Sequence, residues 1–269
     1  MPELPEVEVT RRGLAPHLIG RVISAVAVRE PRLRWPIPRS VRALAGKQVR
    51  AVRRRGKYLL VDCGDGHLIL HLGMSGSLRL VPPGTPAGKH DHFDLLLGEK
   101  CLRLRDPRRF GAVLWTSRSP DAHPLLAHLG VEPLSRALTG AHLYRLSRAL
   151  RIPVKQFLMD AKRVVGVGNI YASESLFRAG IDPRSRAGKI SLQKYEKLVA
   201  AIKVTLRAAI KAGGSSLRDF VGSDGASGYF QNRVLVYDRG GMPCRRCRTP
   251  IKRIVQGARA TYFCASCQR

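Results

Sequence analysis

Short apolar or alternating runs, bounded by Gly, Pro and Asp, fill the first half of the chain: "RVISAVAVR", "KYLLVDCGDG", "HLILHLGM", "SLRLVPPG", "HFDLLLG", "CLRLRD" and "AVLWTS". Such runs predict β-strands, and their number without intervening helical patterns predicts a sandwich or barrel rather than βαβ units. Ahead of them, the spacing predicts one helix from about Glu6 to His17. Near residue 120 the period changes. From "DAHPLLAHLGVEPLS" onward it is helical, predicting helices at Thr139 to Leu150, Val154 to Asp160, Asn169 to Ala179 and Ser191 to Ala212. They stop at "GGSSL", and the Gly-rich "VGSDGASGYFQNR" that follows is either a functional loop or a linker.

Charge changes the picture most. Against 19 Asp and Glu stand 48 Lys and Arg, a net charge of +29 over 269 residues. The excess is far beyond what solubility requires, so a polyanion is the expected partner, nucleic acid before an anionic membrane. The basic residues are interleaved with core patterning rather than gathered in tails. No segment is long enough to cross a membrane and no secretory leader is visible, so the expectation is a soluble, cytoplasmic protein.

The most specific chemical signal lies at the C-terminus. "CRRC" and, sixteen residues later, "CASC" present Cys244, Cys247, Cys264 and Cys267 as two CxxC pairs. Each pair turns two thiolates toward one tetrahedral ion, and the segment between them predicts a β-hairpin. Four sulfurs leave no open position, so the expected Zn2+ is structural. The hairpin carries Lys252, Arg253 and Arg259, with "GAR" as its tip, and is either a finger for phosphates or a solvated basic turn. Cys63 and Cys101 sit in strand-like runs as small core residues.

Three internal stretches suggest nucleic-acid contact. "VVGVGNIYASESLF" leads from a Gly-x-Gly turn into a helix, where Asn169 can cap and the exposed N–H groups favour an anion; a plain helix joint is the alternative. "HLGMSG" puts Met74 on a loop, and "RDPRRFG" puts Arg108 and Phe110 on another. An apolar wedge beside arginine suits insertion where a nucleotide has been extruded, although each residue alone is as readily core filler. "RRRGKYLL" places Lys57 behind three arginines, as a phosphate contact or a solvated edge. His71, His90 and His92 have no metal-like partners and are strand residues by default.

The N-terminal "MPELPEVEV" suits a helix start. It also suits chemistry. Removal of Met1 would free Pro2 as a secondary amine, and an unperturbed α-amine titrates near ~8, lower among cations.

"PELPEVE", "RRGKYLL", "HLGMSG", "DPRRFG", "GVGNIYASE" and "CRRC…CASC", in this order over nearly the whole chain, resemble the formamidopyrimidine-DNA glycosylases, bacterial 8-oxoguanine glycosylases and AP lyases. The resemblance implies an α+β multidomain fold: an N-terminal helix plus β-sandwich over 1–130 and a helix-two-turn-helix domain over 131–222. A lesion-loop or linker region over 223–238 and a zinc finger over 239–269 complete it, with DNA bound between domains.

It also implies roles. Pro2 is the expected nucleophile, Glu3 the general acid/base, and Lys57, Asn169 and Arg259 the phosphate grip. Met74, Arg108 and Phe110 fill the vacated space, with Arg108 facing the orphaned cytosine, and Lys155 handles the damaged base. His71, His90 and Arg109 join the DNA-contact set, and the stretch from about Ser223 to Phe230 closes over the lesion. The sequence departs into a variable stretch at "RIPVKQF", which touches only the details of base recognition. Double-stranded damaged DNA is the expected partner and a monomer the expected state. A sister enzyme for oxidised pyrimidines and a noncatalytic zinc-finger DNA-binding protein remain the alternatives.

Overall fold

Glu3 starts the first helix, α1 (Leu4–Leu18), as its N-cap. Its backbone N–H donates to the Glu6 carboxylate at 2.8 Å, and the Glu6 N–H returns the bond to the Glu3 carboxylate. This reciprocal box satisfies two donors that a helix start otherwise leaves orphaned, and Pro5 in the first turn forfeits no bond. The computed structural model describes residues 2–215 and 228–269. The chain divides into two compact units, Met1–His128 with Ile210–Gln231, and Leu129–Ala209 with Asn232–Arg269.

The first unit holds two four-stranded antiparallel sheets, and α1 packs on the second of them. One runs in the order β1 (Ala25–Val28), β6 (Asp91–Leu96), β7 (Cys101–Arg105), β5 (Ser77–Val81). The other runs β2 (Ala51–Arg55), β3 (Tyr58–Asp62), β4 (His67–His71), β8 (Ala112–Thr116). Alternation explains the sandwich: Leu59, Val61, Leu68, Leu70 and Val113 from one sheet meet Leu78, Phe93, Leu95, Leu102 and Leu104 from the other in one core. Val7, Leu14 and Leu18 of α1 complete it.

The seven expected strands are present, and β2 is an eighth that the pattern did not predict. Its "AVRRR" shows one inward apolar residue, Val52, beside three arginines, of which Arg53 is exposed and Arg54 turns in to Glu8. Antiparallel pairing of Arg55 with Tyr58 across the Gly56-Lys57 turn makes it a strand despite its composition.

Charge is also organised inside this unit. Glu8 takes hydrogen bonds from Arg11, Arg12 and Arg54 at 2.8 to 3.2 Å. Burial opposes its ionisation, but the Arg11 and Arg12 bonds and the nearby Arg54 outweigh that and hold its carboxyl down at about 2. Asp94 in β6 pairs with Arg29 and, at 2.9 Å, with Arg103.

The second unit holds four helices, α2 (Gly140–Ser147), α3 (Val154–Met159), α4 (Asn169–Ala179) and α5 (Leu192–Lys211), the last running on into the first unit's share of the chain. Thr139 caps α2 by accepting the His142 N–H at 3.0 Å. Phe157, Leu176, Tyr195, Leu198 and Ile202 on these helices are fully buried. The terminal hairpin, β9 (Lys252–Gln256) and β10 (Arg259–Phe263), turns at Gly257 and Ala258 as predicted. Beneath it Phe177, Val236, Cys244, Ile251, Tyr262 and Cys264 form a separate small core. The Glu174 carboxylate, fully buried, accepts the N–H groups of Leu235, Val236 and Tyr237 at 2.9 to 3.0 Å and fixes the approach to the hairpin. Among the described residues no helix is long and apolar enough to cross a membrane.

Candidate catalytic terminus and nucleic-acid contacts

The first unit gathers most of the predicted residues. Pro2 and Glu3 are buried at the head of α1. Glu6, also buried, spends one carboxylate oxygen on the Glu3 N–H and the other on the Ser215 N–H at 2.8 Å. That single side chain ties the N-terminus to Ser215, 209 residues away in the chain. The expected lesion loop, about Ser223 to Phe230, lies almost wholly outside the described residues; within it only Gly228, Tyr229 and Phe230 are described.

At the end of the second sheet, Lys57 sits half-buried in the β2–β3 turn, and His71 ends β4 opposite Tyr58. The rings of Tyr58 and His71 are 4.8 Å apart. Burial, then the charges of Lys57 and Arg34, push the His71 imidazole down to about 4. It is therefore neutral near pH 7, and its Nδ1 accepts the Gly73 N–H at 3.0 Å. His71 thus shapes the loop that carries Met74 rather than offering a cation.

Met74 and Phe110 remain 37 % and 41 % exposed, unusual for large apolar side chains beside a packed core. The Arg108 guanidinium lies over the Phe110 ring, 4.7 Å from its centroid. Arg108 and Phe110 form an apolar and cationic projection, and Met74 is exposed on the loop whose Gly73 meets the Phe110 backbone. Arg109, at φ 56°, points elsewhere, with Nη1 3.4 Å from Glu30. His90 precedes β6, and its carbonyl accepts the Asp106 N–H at 2.9 Å.

In the second unit the N-cap of α4 is Gly168, not Asn169 as expected, because Gly168 has the extended backbone and Asn169 is already helical. The Asn169 side chain is free of capping duty, and its Nδ2 donates to the Ala260 carbonyl at 3.0 Å. Lys155 has only 2 % exposure, and its ammonium donates to that same carbonyl at 3.1 Å and to Thr261 Oγ1 at 2.7 Å. Both side chains therefore hold β10 at the residue next to Arg259, which is exposed at the hairpin tip. Lys155, Gln156, Met159, Asp160, Gln256, Gly257 and Arg259 line a cavity of about 270 Å³.

The four cysteine sulfurs lie within 4.8 Å of one another, with Cys244 to Cys267 at 3.9 Å and Cys247 to Cys264 at 3.4 Å. A tetrahedral ion with Zn–S bonds of about 2.3 Å spaces its sulfurs about 3.8 Å apart, so the set fits one Zn2+. All four ligands are sulfur, and the ion's task is to order the hairpin.

The residues that sequence reasoning missed are Glu6, Ser75, Asp106 and Glu174, all buried acceptors or hydroxyls that hold the others. Ser75 and Asp106 lay inside quoted motifs, but nothing in a linear pattern pairs them.

A helix-led β-sandwich with an exposed apolar and arginine projection, and a helical unit ending in a four-cysteine hairpin, define a zinc-finger class of DNA-binding proteins. Family models match residues 1–113 as the formamidopyrimidine-DNA glycosylase N-terminal domain and 129–221 as its H2TH domain. Residues 241–269 match the zinc finger found in FPG and IleRS. The chain is 60 % identical over 276 residues to the formamidopyrimidine-DNA glycosylase of Paraburkholderia phytofirmans, with 100 % of both covered. It superposes with a TM-score of 0.90 at 39 % identity on the Fpg protein of Thermus thermophilus, covering 99 % of this chain and 98 % of that one. The wild-type Lactococcus lactis Fpg, solved with oxidised-pyrimidine DNA and with N7-benzyl-Fapy-dG DNA, superposes with a TM-score of 0.91 at 33 % identity over 100 % of both chains. The chain belongs to the formamidopyrimidine-DNA glycosylase family.

Proposed function

We propose that this protein is a base-excision repair enzyme for oxidised purines, chiefly 8-oxoguanine opposite cytosine and ring-opened formamidopyrimidines. It then cleaves the abasic strand by β,δ-elimination. The observation that carries the reading is the Pro2-Glu3 pair buried at the head of α1 in a chain of this family.

With Met1 removed, the Pro2 amine attacks the sugar C1′. The glycosidic bond breaks and its electron pair leaves with the base; the C1′–O4′ bond then opens, O4′ taking that electron pair and a proton as the amine nitrogen's lone pair forms C=N+, and Glu3 moves the protons. The resulting iminium withdraws electrons from C2′, whose proton is then lost as the 3′ phosphate departs; the 5′ phosphate follows in the second elimination. The capping box holds the Glu3 carboxylate against the Glu6 N–H, so this proton carrier has a fixed place beside the nucleophile.

Lys57, Asn169 and Arg259 grip phosphates, and Met74, Arg108 and Phe110 fill the gap left by the base, Arg108 facing the orphaned cytosine. His71 serves through the Met74 loop, and Lys155 through the register of β10, which sets Asn169 beside Arg259. His90 and Arg109 belong to the outer DNA contacts. The working domains are 1–130, 131–222, 223–238 and 239–269, and the enzyme acts as a cytoplasmic monomer at the nucleoid.

Action on oxidised pyrimidines is the second reading, favoured by the Lactococcus lactis relative solved with such DNA. Borohydride trapping separates the two. The wild type should give a covalent adduct on an 8-oxoguanine:cytosine duplex that is strongly reduced in Pro2→Gly. A dominant adduct on a thymine-glycol duplex transfers the assignment to pyrimidines. No adduct on either, with intact mass showing Met1 absent, refutes the amine mechanism.

A further inference from the structure

We infer that Asp106 is a positioning residue that locks the Met74 loop and the Arg108-Phe110 loop into one preformed wedge for base extrusion. The inference rests on the wedge role given above to Met74, Arg108 and Phe110.

Asp106 is fully buried at the end of β7, and every hydrogen-bonding group it has is spent on these loops or their support. Its Oδ1 accepts the Ser75 hydroxyl at 2.9 Å and the Arg108 N–H at 3.3 Å. Oδ2 accepts the Gly111 N–H at 2.8 Å. Its own carbonyl accepts the Arg109 N–H at 3.2 Å and lies 2.9 Å from His92 Nε2, while its N–H donates to His90. Ser75 Oγ adds a second acceptor for the Arg108 N–H at 3.3 Å, so hydroxyl and carboxylate grasp the same donor.

One carboxylate thus spans both loops: Ser75 is the neighbour of Met74, and Arg108 and Gly111 enclose Phe110. The backbones also touch. A Cβ on Gly73 would stand 2.4 Å from the Phe110 carbonyl carbon, and one on Gly111 would stand 2.7 Å from the His71 oxygen and 3.0 Å from Asp106 Oδ2. Only glycine allows this approach, which leaves the loops no room to slide past one another. Arg109, between the two wedge residues, is held at φ 56°, a conformation an arginine adopts only when its surroundings dictate it.

The consequence is functional. A buried carboxylate without donors is strongly unfavourable, so the three donors it faces are fixed along with the loops that carry them. Side chains ordered before binding need no ordering when they enter the stack, and extrusion is the step that such order assists. Asp106, fully buried, is out of reach of DNA. It acts through the shape of the wedge.

Three variants test it: Asp106→Asn, which keeps the shape but turns an acceptor into a donor, Ser75→Ala, which removes one tie, and Phe110→Ala as the wedge control. Single-turnover excision of 8-oxoguanine is measured opposite cytosine, opposite adenine, and opposite an abasic gap, where extrusion is already cheap. Asp106→Asn should slow excision opposite cytosine tenfold or more, slow it less than threefold opposite the gap, and narrow the cytosine-to-adenine preference. Ser75→Ala should show the same pattern at three- to tenfold, with Ser75→Thr restoring the rate, and it decides the matter if Asp106→Asn does not fold. Equal slowing on paired and gapped substrates marks a merely structural residue and overturns the inference, as does no slowing on the paired one. If Phe110→Ala is impaired while the Asp106 and Ser75 variants are not, this inference alone fails. If Phe110→Ala is itself normal, the wedge reading fails and takes this inference with it.

Discussion

His71 gives the structure a pH dependence that can be worked out in advance. Burial against Tyr58, with the charges of Lys57 and Arg34 nearby, depresses the imidazole from 6.5 to about 4. Because the folded state disfavours the protonated ring, the unfolded chain binds more protons between those values. Its contribution is fully present above pH 6.5 and drains away as the pH falls toward 4. The complete difference is about 3.4 kcal/mol, of which about 2.5 kcal/mol is lost by pH 4.5. Solvent at the open edge of the ring makes this a ceiling. Protonation also removes the Nδ1 acceptor that holds the Gly73 N–H at 3.0 Å. His71→Asn keeps an acceptor near the same position and does not titrate. Urea unfolding at pH 7 and pH 4.5 should show the wild type losing about 2 kcal/mol more than the variant. Parallel losses in the two proteins, within about 0.5 kcal/mol, would refute the reasoning.

Glu8 titrates in a different window. Its depressed carboxyl stabilises the fold above pH 4.5 and ceases to as the pH falls through about 2, so Glu8→Gln should cost about 1–2 kcal/mol at pH 7 after solvent screening, with the two unfolding curves converging in acid. Lys155→Met should cost about 2–4 kcal/mol, since it leaves Thr261 Oγ1 and part of the Ala260 carbonyl without their charged donor. It should also raise the Kd for abasic DNA, and an unchanged Kd by fluorescence anisotropy would separate the hairpin's register from phosphate binding. Stripping Zn2+ or making Cys247→Ser should lower the melting temperature and weaken DNA binding at least tenfold, and a variant that keeps one zinc by metal analysis and wild-type affinity would contradict the four-sulfur site.

The parts legible in the sequence were those whose cause is local. Helix α4 begins at Asn169 and ends at Ala179 as its periodicity predicts, because Gly168 and Gly180 (φ 70°) interrupt the helix at both ends. The cysteine pairs were legible because a tetrahedral ion imposes their spacing. Strand β2 was not, because pairing with β3 overrides the unpromising composition of "AVRRR". The supports of the site were hidden for the same reason at longer range. Ser75 meets Asp106 across 31 residues, Glu174 meets Leu235 across 61, and Ser215 meets Glu6 across 209. A motif shows which residues face the ligand; only the fold shows which residues hold them there.

These hidden supports also bear on the charge of the protein. Among the described residues, Glu3, Glu6, Glu8, Asp94, Asp106 and Glu174 are buried. Glu3, Glu6, Asp106 and Glu174 accept backbone N–H groups, while Glu8 and Asp94 are enclosed by arginines. The four that hold backbone N–H groups do little to neutralise the exposed cations. Of the 19 acidic residues these four act inside, against the buried cations Arg103 and Lys155, so the outer face is richer in positive charge than the ratio of 48 to 19 suggests. A polyanion meets that face, and its attraction is the part of binding that salt screens. The carboxylates that fasten Glu3, the Met74 and Phe110 loops and the approach to the hairpin are shielded from the same salt by burial. Raising ionic strength should therefore weaken capture of DNA while leaving the geometry of the captured complex, and hence the single-turnover rate at saturation, nearly unchanged.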